Sequence, residues 1–234
     1  MTDIVVGCPT QNRSWILPLW RDYVTEAVPE DWNLQFVLAV PSWDEETIAL
    51  ADWATIVPLD ESEKDDSRKW RWNNTDVYYH MAHIRNELLR TVRTIKPDVF
   101  LSLDSDILIH PNAIVEMYET MMANKADAVG GLTYLDPIDP TVTSLATWSD
   151  PATCTMFQRC TAPGQHPIDI IMAIQMMGNL AYNVNYEHNI LGEDFGWAKS
   201  LKRAGAKIFC DGRSASKHVM DPKWLDIIDK RVGY

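Results

Sequence analysis

The 234-residue chain carries 33 Asp and Glu against 21 Lys and Arg, a formal charge of −12, with 46% apolar and 23% charged residues. That balance suits a globular protein with a real core and excludes disordered, collagen-like and small disulfide-stapled chains. The acid excess also argues against a nucleic-acid coat or a polybasic membrane binder, because both need a positive field. The first residues, MTDIVVGCPTQNR, show no basic stretch followed by a long apolar run, so no signal peptide is expected. No apolar run approaches the ~20 residues of a membrane-spanning helix. Of four cysteines, Cys8 and Cys210 sit in apolar runs and read as core residues, while the spacing of Cys154 and Cys160 permits pairing without demanding it. A reduced, cytoplasmic protein is the expectation.

Apolar runs of strand length alternate with helical periods, which predicts an α/β domain with a mainly parallel sheet and helices on both faces. Ile4–Cys8 reads as a buried first strand, followed by a helix capped by Ser14 and running to Pro29. Leu34–Val40 is a second strand, Glu45–Trp53 a short helix and Thr55–Leu59 a third strand. Asp60–Asn74 has no apolar period and reads as an exposed loop. A strong helix spans Thr75–Ile95, with Val77, Met81, Ile84, Leu88, Leu89 and Val92 on one side. Strand Val99–Leu103, helix Pro111–Asn124 and strand Ala128–Leu135 follow. Pro137–Pro167 is rich in Pro, Thr and Ser and is expected to be irregular. Ile168–Met177 and Leu180–Val184 read as two strands around Gly178-Asn179. Glu193–Ala204 reads as a helix with Gly205 at its C-terminal cap, Lys207–Phe209 as a last strand and Pro222–Arg231 as a closing helix. The second half thus adds a smaller antiparallel portion.

The sharpest local feature is VFLSLDSDILIHP, in which an apolar run delivers Asp104 and Asp106 to a strand end. That is where α/β sheets place ligands. Two carboxylates on one side of a strand repel unless a cation compensates, and Mg²⁺ or Mn²⁺ with a diphosphate is an economical partner. The plainer reading is a solvated turn. In LGEDFGW, Glu193 and Asp194 start a helix; acids there are normal dipole partners, and one of them could serve as a general base. His218, in SKHV, is a late residue of metal-ligand type.

Taken together, CPTQNR, HIRNELLR, DSD, GEDFGWAKSLKRAGAKI and the late His resemble, in order and over nearly the whole chain, GT-A fold glycosyltransferases. The nearest resemblance is to family 2 and its compact, soluble, phage-type members. The resemblance implies a single Rossmann-like domain over residues 1–234. Residues 1–110 would form the nucleotide-sugar half and residues 111–234 the acceptor half. It places Pro9, Thr10, Asn12 and Arg13 around the nucleotide, with Asp44 as a displaced candidate for the base or ribose contact. Arg85 and Asn86 would lie near the diphosphate, beside Asp104 and Ser105. Asp104, Asp106 and His218 would hold Mn²⁺ or Mg²⁺, and Asp194 would be the base of an inverting hexosyltransferase-type enzyme. Glu193 is the alternative base or an acceptor-orienting residue. The implied donor is a nucleotide-diphosphate sugar, UDP-sugar favoured.

The acceptor class stays open among glycans, proteins and small molecules. Trp70 and Trp72, interleaved with basic residues, could stack on a base or close over the donor, and Trp148, Met156, Phe157, Arg159 and Trp197 are further acceptor candidates. Hydroxymethylated pyrimidine in DNA is an alternative acceptor that the charge disfavours. A haloacid dehalogenase-type phosphohydrolase also uses DxD after a strand, but no later GDxxxD completes its metal site here. A non-catalytic sugar-nucleotide-binding protein is the remaining rival. Oligomeric state is not legible.

Overall fold

The computed structural model describes residues 1–60, 75–135, 141–160 and 164–225. The expected exposed loop after Asp60, with Trp70 and Trp72, lies outside the described residues, as does most of the expected closing helix, of which the structure describes a 3₁₀ turn at Pro222–Trp224.

Strands β1 (Asp3–Pro9), β2 (Asn33–Pro41), β3 (Thr55–Leu59) and β4 (Val99–Leu103) run parallel in the order β3-β2-β1-β4. Next to β4 lies β11 (Ile174–Met177), antiparallel both to it and to β6 (Ala128–Thr133). Strand β12 (Ile208–His218) then runs parallel to β6. The short β5 (Ile107–Leu108) and β9 (Gln165–Pro167) pair antiparallel with different parts of β12. Among the described residues, β7 (Leu145–Trp148), β8 (Phe157–Arg159) and β10 (Ile170–Ile171) make a second, antiparallel sheet.

Both faces of the main sheet are buried, so its strands are apolar in both phases. In β1, Ile4, Val6 and Cys8 face one core and Val5 the other; in β2, Leu38 and Val40 oppose Val37 and Ala39. Helices α1 (Leu17–Ala27) and α4 (Ala113–Asn124) cover the first face through Trp20, Val24, Ile114 and Met117. Helices α3 (Thr75–Ile95) and α6 (Glu193–Arg203) cover the second through Leu88, Leu89, Trp197 and Leu201. The α/β architecture with helices on both faces is therefore as expected. All four cysteines are free thiols, with Cys8 and Cys210 fully buried.

Several local expectations need correction. Helix α1 begins at Leu17, and Ser14 does not cap it; the Arg13 carbonyl instead accepts from the Ile16 and Leu17 amides. Helix α2 (Glu45–Ala49) is shorter than expected. Leu180–Val184 is not a strand, because Gly178 turns the chain and Asn179–Tyr182 forms the single helical turn α5, burying Ala181 and Tyr182. Ile168–Met177 is split between the two sheets at Met172-Ala173, where Ala173 is left-handed (φ 59°). The Pro/Thr/Ser-rich segment is not wholly irregular, since it contains β7, β8 and β9. The last strand extends well beyond Phe209, through polar residues up to His218. A bulge between Asp211 and Ala215 lets it do so. The buried Asp211 carboxylate fixes that bulge by accepting from Thr120 Oγ1 (2.6 Å) and from the Arg213 amide (3.1 Å) and guanidinium (2.7 Å).

Gly205 is left-handed (φ 73°) just past α6, the expected glycine terminator. Gly196 answers a different need: a Cβ there would stand 1.8 Å from the Glu187 carbonyl oxygen, so the 187 loop and α6 approach backbone to backbone. Gly196→Ala is expected to destabilise the fold by roughly 1–3 kcal/mol, because backbone must move to relieve the overlap. Urea unfolding at neutral pH checks this, and an unchanged midpoint contradicts the close approach.

Candidate active site

A cleft of about 780 Å³ opens at the C-terminal ends of β1 and β4, between them, α3, the start of α6 and the small sheet. At its centre is Arg85. In α3 the positions 85, 88, 89 and 92 form one stripe, and Leu88, Leu89 and Val92 point into the core. Arg85 continues that stripe to the cleft end and is only 4% exposed. Its guanidinium uses all three nitrogens: Nη2 to Asp104 Oδ1 (2.9 Å), Nε to Glu193 Oε1 (3.2 Å) and Nη1 to Ser102 Oγ (3.2 Å). It also lies over the Tyr186 ring, 5.6 Å from its centroid. Burial works against its charge, but Asp104, Asp194, Tyr186 and Glu193 outweigh that and hold it firmly protonated.

Glu193 and Asp194 open α6, presented by Gly192, whose φ of 135° suits glycine alone. Their roles separate by geometry. Glu193 is engaged by Arg85, whereas Asp194 accepts from the Gln175 amide (2.8 Å) and otherwise faces the cleft. The Gln175 amide group also donates to the Ile171 carbonyl (2.9 Å), while its oxygen accepts from the Tyr186 hydroxyl. Burial, with Glu193 and Asp104 adding repulsion, pushes the Asp194 carboxyl up to about 8. Gln175 and Tyr186 escaped the sequence reading: each sits in an apolar run or a loop, and only the fold brings them together.

Asp104 and Asp106 leave β4 in a turn in which the Ile107 amide donates to the Asp104 carbonyl. Trp20 Nε1 holds the same carbonyl from α1 (3.1 Å). The turn carries the chain to β5, whose pairing with β12 sets Ile107 opposite His218; the Val219 amide then donates to the Asp106 carbonyl (2.7 Å). His218 Nε2 therefore lies 3.5 Å from Asp106 Oδ1, while Arg13 Nη2 holds Oδ2 at 3.3 Å. His218 Nδ1 is buried with no partner among the described residues. Asp104 turns one oxygen to Arg85 and stays a third exposed, apart from the Asp106–His218 pair. Among the described residues no three His, Cys, Asp or Glu side chains form a complete metal cage. Asp106 and His218 nonetheless fit Mn²⁺ or Mg²⁺ in donor type, for these ions keep waters and diphosphate oxygens beside one or two protein ligands.

Other sequence candidates scatter. Pro9, Thr10, Arg13 and Ser105 line the cleft. Asn12 is exposed, and its amide donates to Asp44 Oδ2 (2.7 Å). Asp44 itself is buried and caps α2 through the Thr47 amide, so it braces the first loop rather than facing the cleft. Asn86 points away and clamps both backbone groups of Tyr186 (2.9 and 2.8 Å). Phe157 lines the cleft, but Trp148 and Trp197 do not. Trp197 stacks on Tyr186 (5.3 Å) inside the second core, and Trp148 meets Phe195 edge-on (5.9 Å). Their large apolar rings are buried because the core, not a substrate, covers them.

A carboxyl whose pKa rises on folding favours the fold at low pH and loses that advantage as pH climbs through the folded value. For Asp194 the window runs from the ordinary carboxylate range near 4 up to about 8. Asp194→Asn is therefore expected to match wild-type stability near pH 4 and to exceed it at pH 9. Urea unfolding at both pH values tests this; equal stability of the two proteins at pH 9 contradicts it.

No family model matches the chain, and no curated protein matches its sequence. Solved structures do match. Protein A197 from STIV aligns with 94% of this chain and 87% of its own, at 11% identity and a TM-score of 0.54. The mannosyltransferase PcManGT from Pyrobaculum calidifontis, solved with GDP-Man and Mn²⁺, aligns with 94% of this chain at 12% identity and a TM-score of 0.59. TarS 1–349 from S. aureus aligns with 93% at 10% identity and a TM-score of 0.58. The chain spans 57% and 60% of the latter two. Among the described residues no helix is long and apolar enough to cross a membrane. At these identities the likeness is one of fold alone, a GT-A-like α/β fold that this chain shares with those two glycosyltransferases and with A197.

Proposed function

We propose that the chain is a metal-dependent, inverting glycosyltransferase that moves a sugar from a nucleotide-diphosphate sugar, UDP-sugar favoured, to an acceptor hydroxyl. The observation that carries this reading is one cleft with two acidic stations: the Asp106–His218 pair beside Arg13, and Asp194 beside the Arg85–Glu193 pair. The solved mannosyltransferase with the same fold holds a nucleotide sugar and Mn²⁺, which supports the donor class.

In this reading Asp106 and His218 would hold the ion. Bound there, it would offset charge on the leaving diphosphate. Residues 1–110 form the donor half, where Pro9, Thr10 and Ser105 shape the nucleotide wall and Arg13 faces the phosphates. Asp104, fixed by Arg85, approaches the ribose or sugar. Residues 111–234 form the acceptor half. Asp194 takes the proton of the acceptor hydroxyl as its oxygen forms the new bond to the anomeric carbon. The bond to the diphosphate breaks on the opposite side, which inverts the centre. Glu193 keeps Arg85 compensated and leaves the base role to its neighbour. An elevated Asp194 pKa matches that role, since a base works best with a pKa near the operating pH. The tie from Arg85 to Asp104 speaks against the phosphohydrolase alternative, whose first Asp must attack phosphorus freely.

Thermal shift with Mn²⁺ and UDP, GDP or their sugars is expected to stabilise the protein, and EDTA to remove both that shift and transfer. Full turnover in EDTA overturns the metal assignment. Asp194→Asn is expected to keep nucleotide binding and to lose roughly 10²–10⁴-fold in transfer. Wild-type transfer should fall as pH drops from about 8 toward 6, as Asp194 becomes protonated. A transfer rate indifferent to both changes moves the base elsewhere.

A further inference from the structure

Among the described residues three arginines line the cleft: Arg13, Arg85 and Arg159. The first two are matched by carboxylates, Arg13 by Asp106 and Arg85 by Asp104 and Glu193. Arg159 is different. Its Nη1 donates to the Thr143 carbonyl (2.6 Å) and to Met172 Sδ (3.4 Å), and among the described residues no carboxylate reaches its guanidinium. Burial lowers its pKa, where the carboxylates around Arg85 raise that of Arg85. A half-buried guanidinium with no carboxylate partner among the described residues is suited to an anionic ligand, because its planar fork matches carboxylate and phosphate oxygens.

Its place in the fold identifies which ligand. Arg159 ends β8, in the small sheet, away from the β1–β4 wall. The guanidinium lies 5.3 Å from the Phe157 centroid, and Phe157 packs at 4.7 Å against Phe195, the residue after Asp194. Met172, Phe195 and the half-exposed Phe157 make an apolar wall between Arg159 and the proposed base. Of the two carboxylates at that end, Glu193 is ion-paired with Arg85 and Asp194 accepts from the Gln175 amide.

We infer that the small-sheet side of the cleft is an anion-reading acceptor subsite, in which Arg159 takes a carboxylate or phosphate carried by the acceptor while Phe157, Met172 and Phe195 seat its apolar face. This rests on the glycosyltransferase reading and specifies its acceptor as an anionic one, such as a uronic acid or a sugar phosphate. Arg159 is the specificity-determining residue of that subsite.

Matched ligand pairs test it on the full chain by calorimetry with Mn²⁺ and UDP or GDP present. One pair is 4-nitrophenyl glucuronide against 4-nitrophenyl glucoside, which differ only in the C6 carboxylate. The other is glucose 6-phosphate against glucose. The anionic member of at least one pair is expected to bind ten-fold or more tightly than its neutral partner, and which pair discriminates tells carboxylate from phosphate. Arg159→Gln should bring that ratio close to one while leaving nucleotide affinity within two-fold, and Arg159→Lys, which keeps the charge, should retain part of the preference. Equal binding within both pairs, or no binding of any member, overturns the anion subsite and leaves the transferase reading standing. Weaker nucleotide binding by Arg159→Gln also overturns it, by moving Arg159 to the donor. If neither UDP nor GDP binds the wild type, the transferase reading falls and this inference falls with it.

Discussion

The geometry of the cleft hangs on one buried cation. Arg85 occupies a core-facing position of α3, where the helical period calls for an apolar residue, and it gathers acids from the end of β4 and the start of α6. Glu193 in particular is buried, and a buried carboxylate without a partner is expensive. Conversely, the guanidinium is tolerated only because all three nitrogens are satisfied. The proposed donor-side and acceptor-side groups thus meet on a single side chain. What remains outside that pairing is Asp194, crowded by negative neighbours and left ready to accept a proton.

The second organising element is the long polar strand β12. Its bulge, pinned by Asp211, lets pairing with β6 resume at Ala215, and the chain then runs on far enough for His218 to reach β5 and Asp106. Two residues 112 positions apart become neighbours by backbone pairing, not by attraction between their side chains. The same device explains why Asp104 and Asp106, close in sequence, diverge in partners. One stays at the mouth of β4 with Arg85, and the other crosses with the chain toward His218.

Much of the fold was legible in the sequence because both faces of the sheet are covered, so the strands β1 to β4 stand out as apolar runs. The candidate acids were legible as well, through strand-end and helix-start placement. Less visible was anything decided by tertiary contact. DGRSASKH does not read as a strand because its polar side chains find partners across the sheet and in α4. LAYNV looks like a strand, yet Gly178 and the demands of the second core coil it. Trp148 and Trp197 invite a binding role by residue type alone and lie in the interior. Gln175 and Tyr186, which orient the proposed base, carry no local signal, since their meaning comes from a sheet and a loop that fold onto each other.

Ala173 joins the two sheets. It is a non-glycine residue in the left-handed region, and its carbonyl accepts the Asp104 amide at 2.9 Å. Such a conformation costs on the order of 1 kcal/mol and persists only where its surroundings enforce it. Immediately before it runs β10, part of the small sheet that carries Phe157 and Arg159; immediately after it runs β11, beside β4. Ala173 is therefore one of the links between the two walls of the cleft, beside the contacts that tie Ser144 to β6. The segment that leaves the small sheet is thus fastened, one residue before β11, to the backbone of the turn that presents Asp104.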